Sequence, residues 1–287
     1  MECEKCALWD PYTFLNASYL ACSLVNPSAL SPLQSMKHLL PLGFLALVAC
    51  SSPNEDEDVV GATTEDVAPQ NFLSDDEVLD GWELLFDGTS FSGWHIYGGS
   101  AIEGSGWKVE HDAIAFDPQP EDGHDLTSDA EYANFHLRLE WKISEGGNSG
   151  ILFYVKEDPQ YPYPWMTGPE MQVLDHGSEE KPGHADAASS KHRAGDLYDL
   201  VSCYEDVIHP TGEWNHAEII ANNGDITFKM NDVVVVETTM WDEEWDALVE
   251  GSKFVATPDF GTFSSGKLCL QDHGSQVWYR NIKIKRL

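Results

Sequence analysis

Residues 132–143 read YANFHLRLEWKI. Phe135, Leu137, Leu139, Trp141 and Ile143 fall on one parity, and His136, Arg138, Glu140 and Lys142 on the other. An apolar residue at every second position over this length predicts a strand with one buried face. Gly146-Gly147-Asn148 predicts a turn leading into a second strand at Ile151–Val155. The segments 169–174, 214–220, 226–230, 233–238, 267–272 and 277–285 carry strand patterning too, and Asn231-Asp232 between two of them predicts a hairpin turn. Helical spacing is confined to a short stretch near Trp241–Val249. Many short strands with turn signals between them predict an all-β sandwich or barrel, and such folds run past about 200 residues as one domain. No internal repeat interrupts the pattern.

The N-terminal part of the chain reads differently. Residues 36–50, MKHLLPLGFLALVAC, begin with Met36-Lys37-His38 and continue as an apolar run from Leu39 to Val48. A charged start and a short apolar core predict a secretory signal, and the run falls short of the roughly 20 apolar residues of a spanning helix. Leu47-Val48-Ala49-Cys50 has the form of a lipobox, so residues 36–49 are expected to be a lipoprotein signal peptide and Cys50 a lipidated N-terminus. Residues 1–35 precede a more plausible start at Met36 and are read as a mis-assigned upstream extension. Their Cys3 and Cys6 have the spacing of half a zinc site, but no second pair stands at a suitable distance. Residues 50–79 contain Glu55, Asp56, Glu57 and Asp58 and are expected to be an acidic flexible tether. The folded domain is expected over 80–287. Its two cysteines, Cys203 and Cys269, fit either one disulfide or two buried thiols.

The chain carries 49 acidic against 16 basic residues, a formal charge of −33. Such a surface repels nucleic-acid phosphates, so no nucleic-acid partner is expected. The membrane is expected to be reached only through the lipid at Cys50, with the exported chain anchored to the bacterial cell envelope on its periplasmic or outer-surface side. The 42% apolar content is enough for a sizeable core.

Candidate site residues follow from strand parity. In PEMQVLD, Glu170 and Gln172 share one face, while Asp175 falls on the other face or at the strand end. Position i+4 from Glu170 is Leu174, so this strand supplies one carboxylate and one amide rather than the carboxylate pair of an ordinary glycosidase. In LQDHG, Gln271 and His273 share a face, and a histidine at a strand end suits proton transfer near neutral pH. In the last strand Trp278, Arg280 and Ile282 are read on one face. An arginine there must serve a ligand or pair internally, with Glu170 or Asp175 as partners. Asn148, on the glycine-rich turn, either contacts a ligand or caps the turn. Tyr198 and Asp199 lie in a loop with His184, Asp186 and His192. That cluster matches no standard metal site, and a divalent metal ion is left open. Among ten tryptophans, Trp165 in YPYPWMTG is the loop candidate for stacking on a sugar.

Several blocks resemble one family in order along the chain: GWELLFDGTSFSGWH at 81–95, GGNSGILFYV at 146–155, PEMQVLD at 169–175, LYDL at 197–200, GEWNHAEI at 212–219 and LQDHGSQVWYRNIKIK at 270–285. They resemble the 3-keto-disaccharide hydrolase domain. Asp232 departs from the Asn-Gly turn common in that family, which concerns the turn and not the chemistry. The resemblance implies a two-sheet antiparallel jelly roll of the concanavalin A-like lectin and glucanase type, and an oligosaccharide or glycoside substrate with a ketone at carbon 3. It further implies a reaction with one base and one acid: removal of the carbon-2 hydrogen, elimination, then hydration. On that reading His273 is the base and Glu170 the acid, or the reverse. Gln172, Asn148 and Arg280 surround the enolate, and Gln271, Asp175, Trp165 and Tyr198 complete the substrate contacts. Two alternatives stand beside it. One is a non-catalytic carbohydrate-binding module. The other is a two-carboxylate glycosidase whose second carboxylate is Glu140 or Glu218.

Overall fold

The computed structural model describes residues 70–287 apart from 100, 119–123 and 179. The signal segment, Cys50, the upstream stretch and residues 50–69 of the tether lie outside the described residues. The last ten residues assigned to the tether belong to the fold instead. Asn71 is buried and exchanges hydrogen bonds with Asn281: its N–H donates to Asn281 Oδ1 at 2.6 Å, and the Asn281 N–H donates to Asn71 Oδ1 at 2.8 Å. A one-turn helix α1 (Asp75–Leu79) follows, closed by a Ser74–Glu77 capping box. Glu77 also pairs with Lys283 at 2.8 Å.

Thirteen strands succeed it: β1 (Trp82–Leu84), β2 (Trp94–Ile96), β3 (Trp107–Glu110), β4 (Ala113–Phe116), β5 (Leu126–Tyr132), β6 (Phe135–Ile143), β7 (Asn148–Val155), β8 (Glu170–Leu174), β9 (Asn215–Asn222), β10 (Asp225–Met230), β11 (Val233–Thr239), β12 (Gly266–Leu270) and β13 (Val277–Arg286). They form two antiparallel sheets. The larger runs β11-β10-β9-β6-β13-β4-β3, with β1 also on β13; the smaller runs β2-β5-β12-β7-β8. This is the expected jelly-roll sandwich. Asn231 and Asp232 sit at φ 48° and 68°, the left-handed pair that a two-residue hairpin needs. The weak helical stretch is α2 (Glu243–Glu250), N-capped by Asp242 onto the Trp245 N–H at 2.8 Å. No helix among the described residues is long and apolar enough to cross a membrane.

β6 alternates as its sequence predicts, with every apolar residue buried and every polar one half-buried. Its inward side chains meet β7 across the sandwich: Phe135 packs edge-on against Phe153 at 6.2 Å and Tyr154 at 5.9 Å. Each such side chain stabilises by about 1.5–3 kcal/mol when fully buried. The outward face of the large sheet is laced by cations over indoles. Arg138 lies 4.3 Å over Trp82, and Lys142 4.5 Å over Trp278.

The smaller sheet breaks the alternation. Every residue of β7 and β8 is buried. Ile151, Phe153, Met171 and Val173 enter the main core. The other side is covered as well, by a second cluster of Tyr97, Leu152, Val155 and Cys269 with Trp165 against it. A strand buried on both faces loses its period-two signature, and the covered second face is where polar residues gather. Cys203 and Cys269 are free thiols; Cys269 Sγ lies 3.1 Å from Thr127 Oγ1.

Candidate active site

The register places one row of residues across four strands on the face turned from the core. Leu270 pairs with both Leu126 and Ile151, and Gly150 pairs with Gln172. Continuing from Leu270 brings Gln271 beside Gly150, whose carbonyl accepts from the Gln271 N–H at 2.9 Å. Asp125 precedes β5 at the same level, and its Oδ1 accepts from the Asp272 N–H at 2.7 Å. Glu170 and Gln172 share this face, as their parity predicts. Glu170 is 6% exposed, Gln172 1% and Asn148 2%. Asn148 is therefore the first residue of β7, not a turn residue.

Glu170 reaches over β7. A Cβ on Gly150 would lie 1.9 Å from Glu170 Oε1, so the glycine provides the space that the carboxyl occupies. In the orientation that satisfies both ends of its amide, Gln172 donates from Nε2 to Glu170 Oε1 at 2.9 Å and to Ser149 O at 3.1 Å, with its other end 3.2 Å from the Asn148 amide. The Oε1 of Gln271 is buried without a partner among the described residues.

The loop after β8 lines the open side. The Tyr198 N–H donates to the Glu170 carbonyl at 3.0 Å, which joins the loop to β8. The loop is locked from below by Asp196, whose carboxylate accepts from the Arg193 and Cys203 N–H groups, each at 2.6 Å. The His192 ring stacks on Tyr198 at 4.5 Å, and its Nε2 meets Asp199 Oδ1 at 3.0 Å. Burial, and the negative charges of Glu170, Asp186 and Asp199, raise the Tyr198 hydroxyl well above its ordinary value. His273, exposed at the rim, meets His184 edge-on at 6.2 Å. Trp165 stacks on Tyr163 at 5.6 Å and packs against the Leu152 and Cys269 cluster of the same sheet face.

The electrostatics divide these groups. Burial pushes the Glu170 carboxyl up to about 8; Lys253 opposes the shift, while Asp125 and Asp186 add to it. Burial likewise raises Asp125 to about 7, against the Asp272 N–H that stabilises its anion. Although His273 is exposed at the rim, desolvation of its ring together with the charges of His184 and Lys253 lowers it below the ordinary imidazole value, against its own backbone hydrogen bond and Asp186. Asp186 and Lys253 act on both Glu170 and His273. At neutral pH Glu170 is a carboxylic acid that can donate a proton, and His273 is a neutral imidazole that can accept one.

Two sequence candidates lie elsewhere. Arg280 is on the outer face of the large sheet, paired with Glu140 at 2.7 Å and 3.9 Å over the Trp214 ring. The register of β13 shifts between Arg280 and Lys283, with Asn281 at φ 52°, so Arg280 and the buried Ile282 do not share a face. Asp175 closes the end of β8. Its carboxylate accepts from the Gly146 and Gly177 N–H groups and from the Thr211 hydroxyl, so it holds loops in place rather than facing Glu170. It borders a separate cavity of about 540 Å³ together with Trp141 and His209.

Glu140 and Glu218 are also on the large sheet, so neither can complete a carboxylate pair with Glu170. His136 and Arg138 engage Glu218 and outweigh its burial, leaving it at about 2. His184, Asp186 and His192 are not grouped at a metal position among the described residues; His192 pairs with Asp199, and the His184 ring accepts from the Asp186 N–H. The metal-compatible group among the described residues is His216, Glu218 and Asp232, on β9 and the neighbouring hairpin, with ligand atoms within 4.8 Å of one another.

Asp125, Gly150 and Lys253 were not singled out by the sequence. Asp125 stands just outside a strand and Lys253 on a short turn, where no periodicity marks a face. Gly150 lay within a quoted block, and its neighbours' burial on both faces is the feature that reveals it.

A jelly-roll sandwich with a buried carboxyl and amides on one sheet face fits the class of glycoside-cleaving enzymes. The sequence profile of the 3-keto-alpha-glucoside-1,2-lyase-like domain matches residues 81–285, and the chain belongs to that family. It is 34% identical over 239 residues to a 3-keto-disaccharide hydrolase of Bacteroides thetaiotaomicron, covering 72% of this chain and 79% of the relative. A crystal structure of a Parabacteroides distasonis protein assigned to the glycosyl hydrolases superposes with a TM-score of 0.69 at 32% identity, over 76% of this chain and all of that one. A second Parabacteroides distasonis structure so assigned, 23% identical over 72% of this chain and 84% of its own, shares the fold with a TM-score of 0.51.

Proposed function

We propose that the domain cleaves the glycosidic bond of sugars oxidised to a ketone at carbon 3. The ketone acidifies the hydrogen on carbon 2. Neutral His273 takes that proton; the C–H electron pair moves between carbons 2 and 3, and the carbonyl pair moves onto oxygen. As the carbonyl reforms, the carbon-1 bond breaks and its electrons leave with the glycosidic oxygen, which takes the proton of Glu170. The products are an alcohol and a 3-keto sugar unsaturated between carbons 1 and 2; adding water across that double bond completes hydrolysis. Gln172 orients Glu170, while Asn148, Gln271 and Tyr198 border the sugar and Trp165 offers a stacking face.

The observation that carries this reading is the single buried carboxyl of Glu170, seated in the space left by Gly150 and held by Gln172, with burial favouring its protonated form. Matched plain and 3-keto glycosides, incubated with and without chelator, test it. Turnover of the keto substrate alone is expected. Glu170→Gln and His273→Ala should each lower it at least ~100-fold, with exchange of the carbon-2 hydrogen into solvent lost in the histidine variant. Wild-type activity in both variants sinks the assignment.

A second reading is favoured by Asp125, whose charge acts on Glu170: a two-carboxylate glycosidase. It requires turnover of unoxidised glycosides and no exchange at carbon 2. On either reading the substrate meets the enzyme outside the cytoplasm, for we place the mature chain, lipidated at Cys50, on the cell envelope. Mass spectrometry of native protein should then find no peptide from residues 1–49.

A further inference from the structure

The enolate of the reaction above needs a positive partner, and Arg280 lies on the other sheet. A candidate stands at the opposite wall of the site. Lys253 opens a short 3-10 turn, Lys253–Ala256, capped by Ser252. The turn is anchored by Phe254, stacked on Phe260 at 3.7 Å. The Lys253 N–H donates to Asp199 Oδ2 at 2.7 Å, which joins the turn to the Tyr198 loop. The Lys253 ammonium lies 4.1 Å over the Tyr198 ring and 5.2 Å from the Phe254 ring centre.

What distinguishes this lysine is how it is held. Asp125, Asp186, Asp199 and Glu170 surround the site, yet Lys253 forms no side-chain ion pair among the described residues. Its charge rests on aromatic faces, an attraction worth about 0.5–2 kcal/mol. A cation over a ring keeps its three N–H donors for another acceptor. Among the charged groups acting on Glu170 it is the cation, and it acts on His273 too. Tyr198, on which it lies, is hydrogen-bonded to the Glu170 backbone at 3.0 Å. The ammonium therefore lies on the ring of the residue whose backbone is bonded to that of the acid.

We propose that Lys253 is a catalytic residue of this site, donating to the carbon-3 oxygen as the ketone becomes an enolate. No electrons or protons are transferred to the lysine. Its N–H bonds shorten onto the oxygen as negative charge arrives, and lengthen when the carbonyl reforms. Without it, that charge would develop beside three aspartates. The proposal rests on the keto-sugar reading.

The test uses the full chain and a methyl 3-keto-glucoside in deuterated buffer, with carbon-2 exchange and alcohol release followed together by NMR. Lys253→Met keeps the stem on Tyr198 and removes the charge; Lys253→Arg keeps the charge. The methionine variant should lose ~100-fold or more in both exchange and release, the usual loss for one oxyanion donor. The fall should lie mainly in kcat, and arginine should restore part of it. Unchanged melting temperatures show that folding is intact. Exchange within threefold of wild type in Lys253→Met overturns the role of Lys253 while leaving the keto-sugar reading standing. Wild type that neither exchanges nor cleaves the keto sugar overturns the keto-sugar reading, and this proposal with it.

Discussion

The carboxyl of Glu170 fills the side-chain space of Gly150 on the neighbouring strand: a Cβ there would stand 1.9 Å from Glu170 Oε1. The acid is held by a missing side chain as much as by its hydrogen bonds. Gly150→Ala should therefore displace Glu170, costing about 1–3 kcal/mol of stability as an overpacked site and at least ~10-fold in turnover. Thermal unfolding and a glycoside-cleavage assay read the two effects. An alanine variant with full activity would show that the carboxyl needs no such space.

The raised Glu170 carboxyl makes stability depend on pH. Its folded value of about 8 lies above the ordinary 4.5. Between those values the folded state holds a proton that the unfolded state has released, so wild-type stability falls as pH rises from about 4.5 to about 8. Glu170→Gln has no such proton. Its melting temperature relative to wild type should rise between pH 5 and pH 9, and the gap should level off above about 8. A gap that stays flat across that range contradicts the burial account.

Arg280 serves the outside of the large sheet. Arg280→Ala removes a half-buried pair with Glu140 and a contact with Trp214, together about 1 kcal/mol. Turnover should stay within twofold of wild type. A large loss of kcat at unchanged stability would return Arg280 to the chemistry.

The segment before β1 belongs to the domain. A chain starting at residue 80 loses the Asn71–Asn281 exchange and the Glu77–Lys283 pair. It should be about 2 kcal/mol or more less stable than one starting at residue 70, at net hydrogen-bond values of about 0.5–1.5 kcal/mol each. Denaturant unfolding of the two chains measures the difference, and equal midpoints would mean that the segment adds nothing.

Strand parity was sufficient for Glu170 and Gln172, because β8 runs straight and its alternate residues must face opposite ways. It failed for Arg280, because the register shift after it resets the parity within one residue. It held for Asp175 too, which stands at the strand end; the substrate contact implied by the resemblance did not hold, because the loops there claim its carboxylate. A sandwich or barrel was legible from β6 and the other patterned strands, since a single buried face needs a second sheet to cover it; the jelly roll itself followed from the family resemblance.

Alone, the sequence determined the class of fold, the family and the face that Glu170 shares with Gln172 on β8, since period-two patterning and local motifs are properties of neighbours in the chain. Only the tertiary structure decided what surrounds that acid. Asp125, Gly150, Lys253 and Tyr198 come from four separate segments, and the proton state of Glu170 follows from the burial and charges those segments impose. Desolvation and Coulomb interactions depend on distance through space, and no spacing along the chain encodes it.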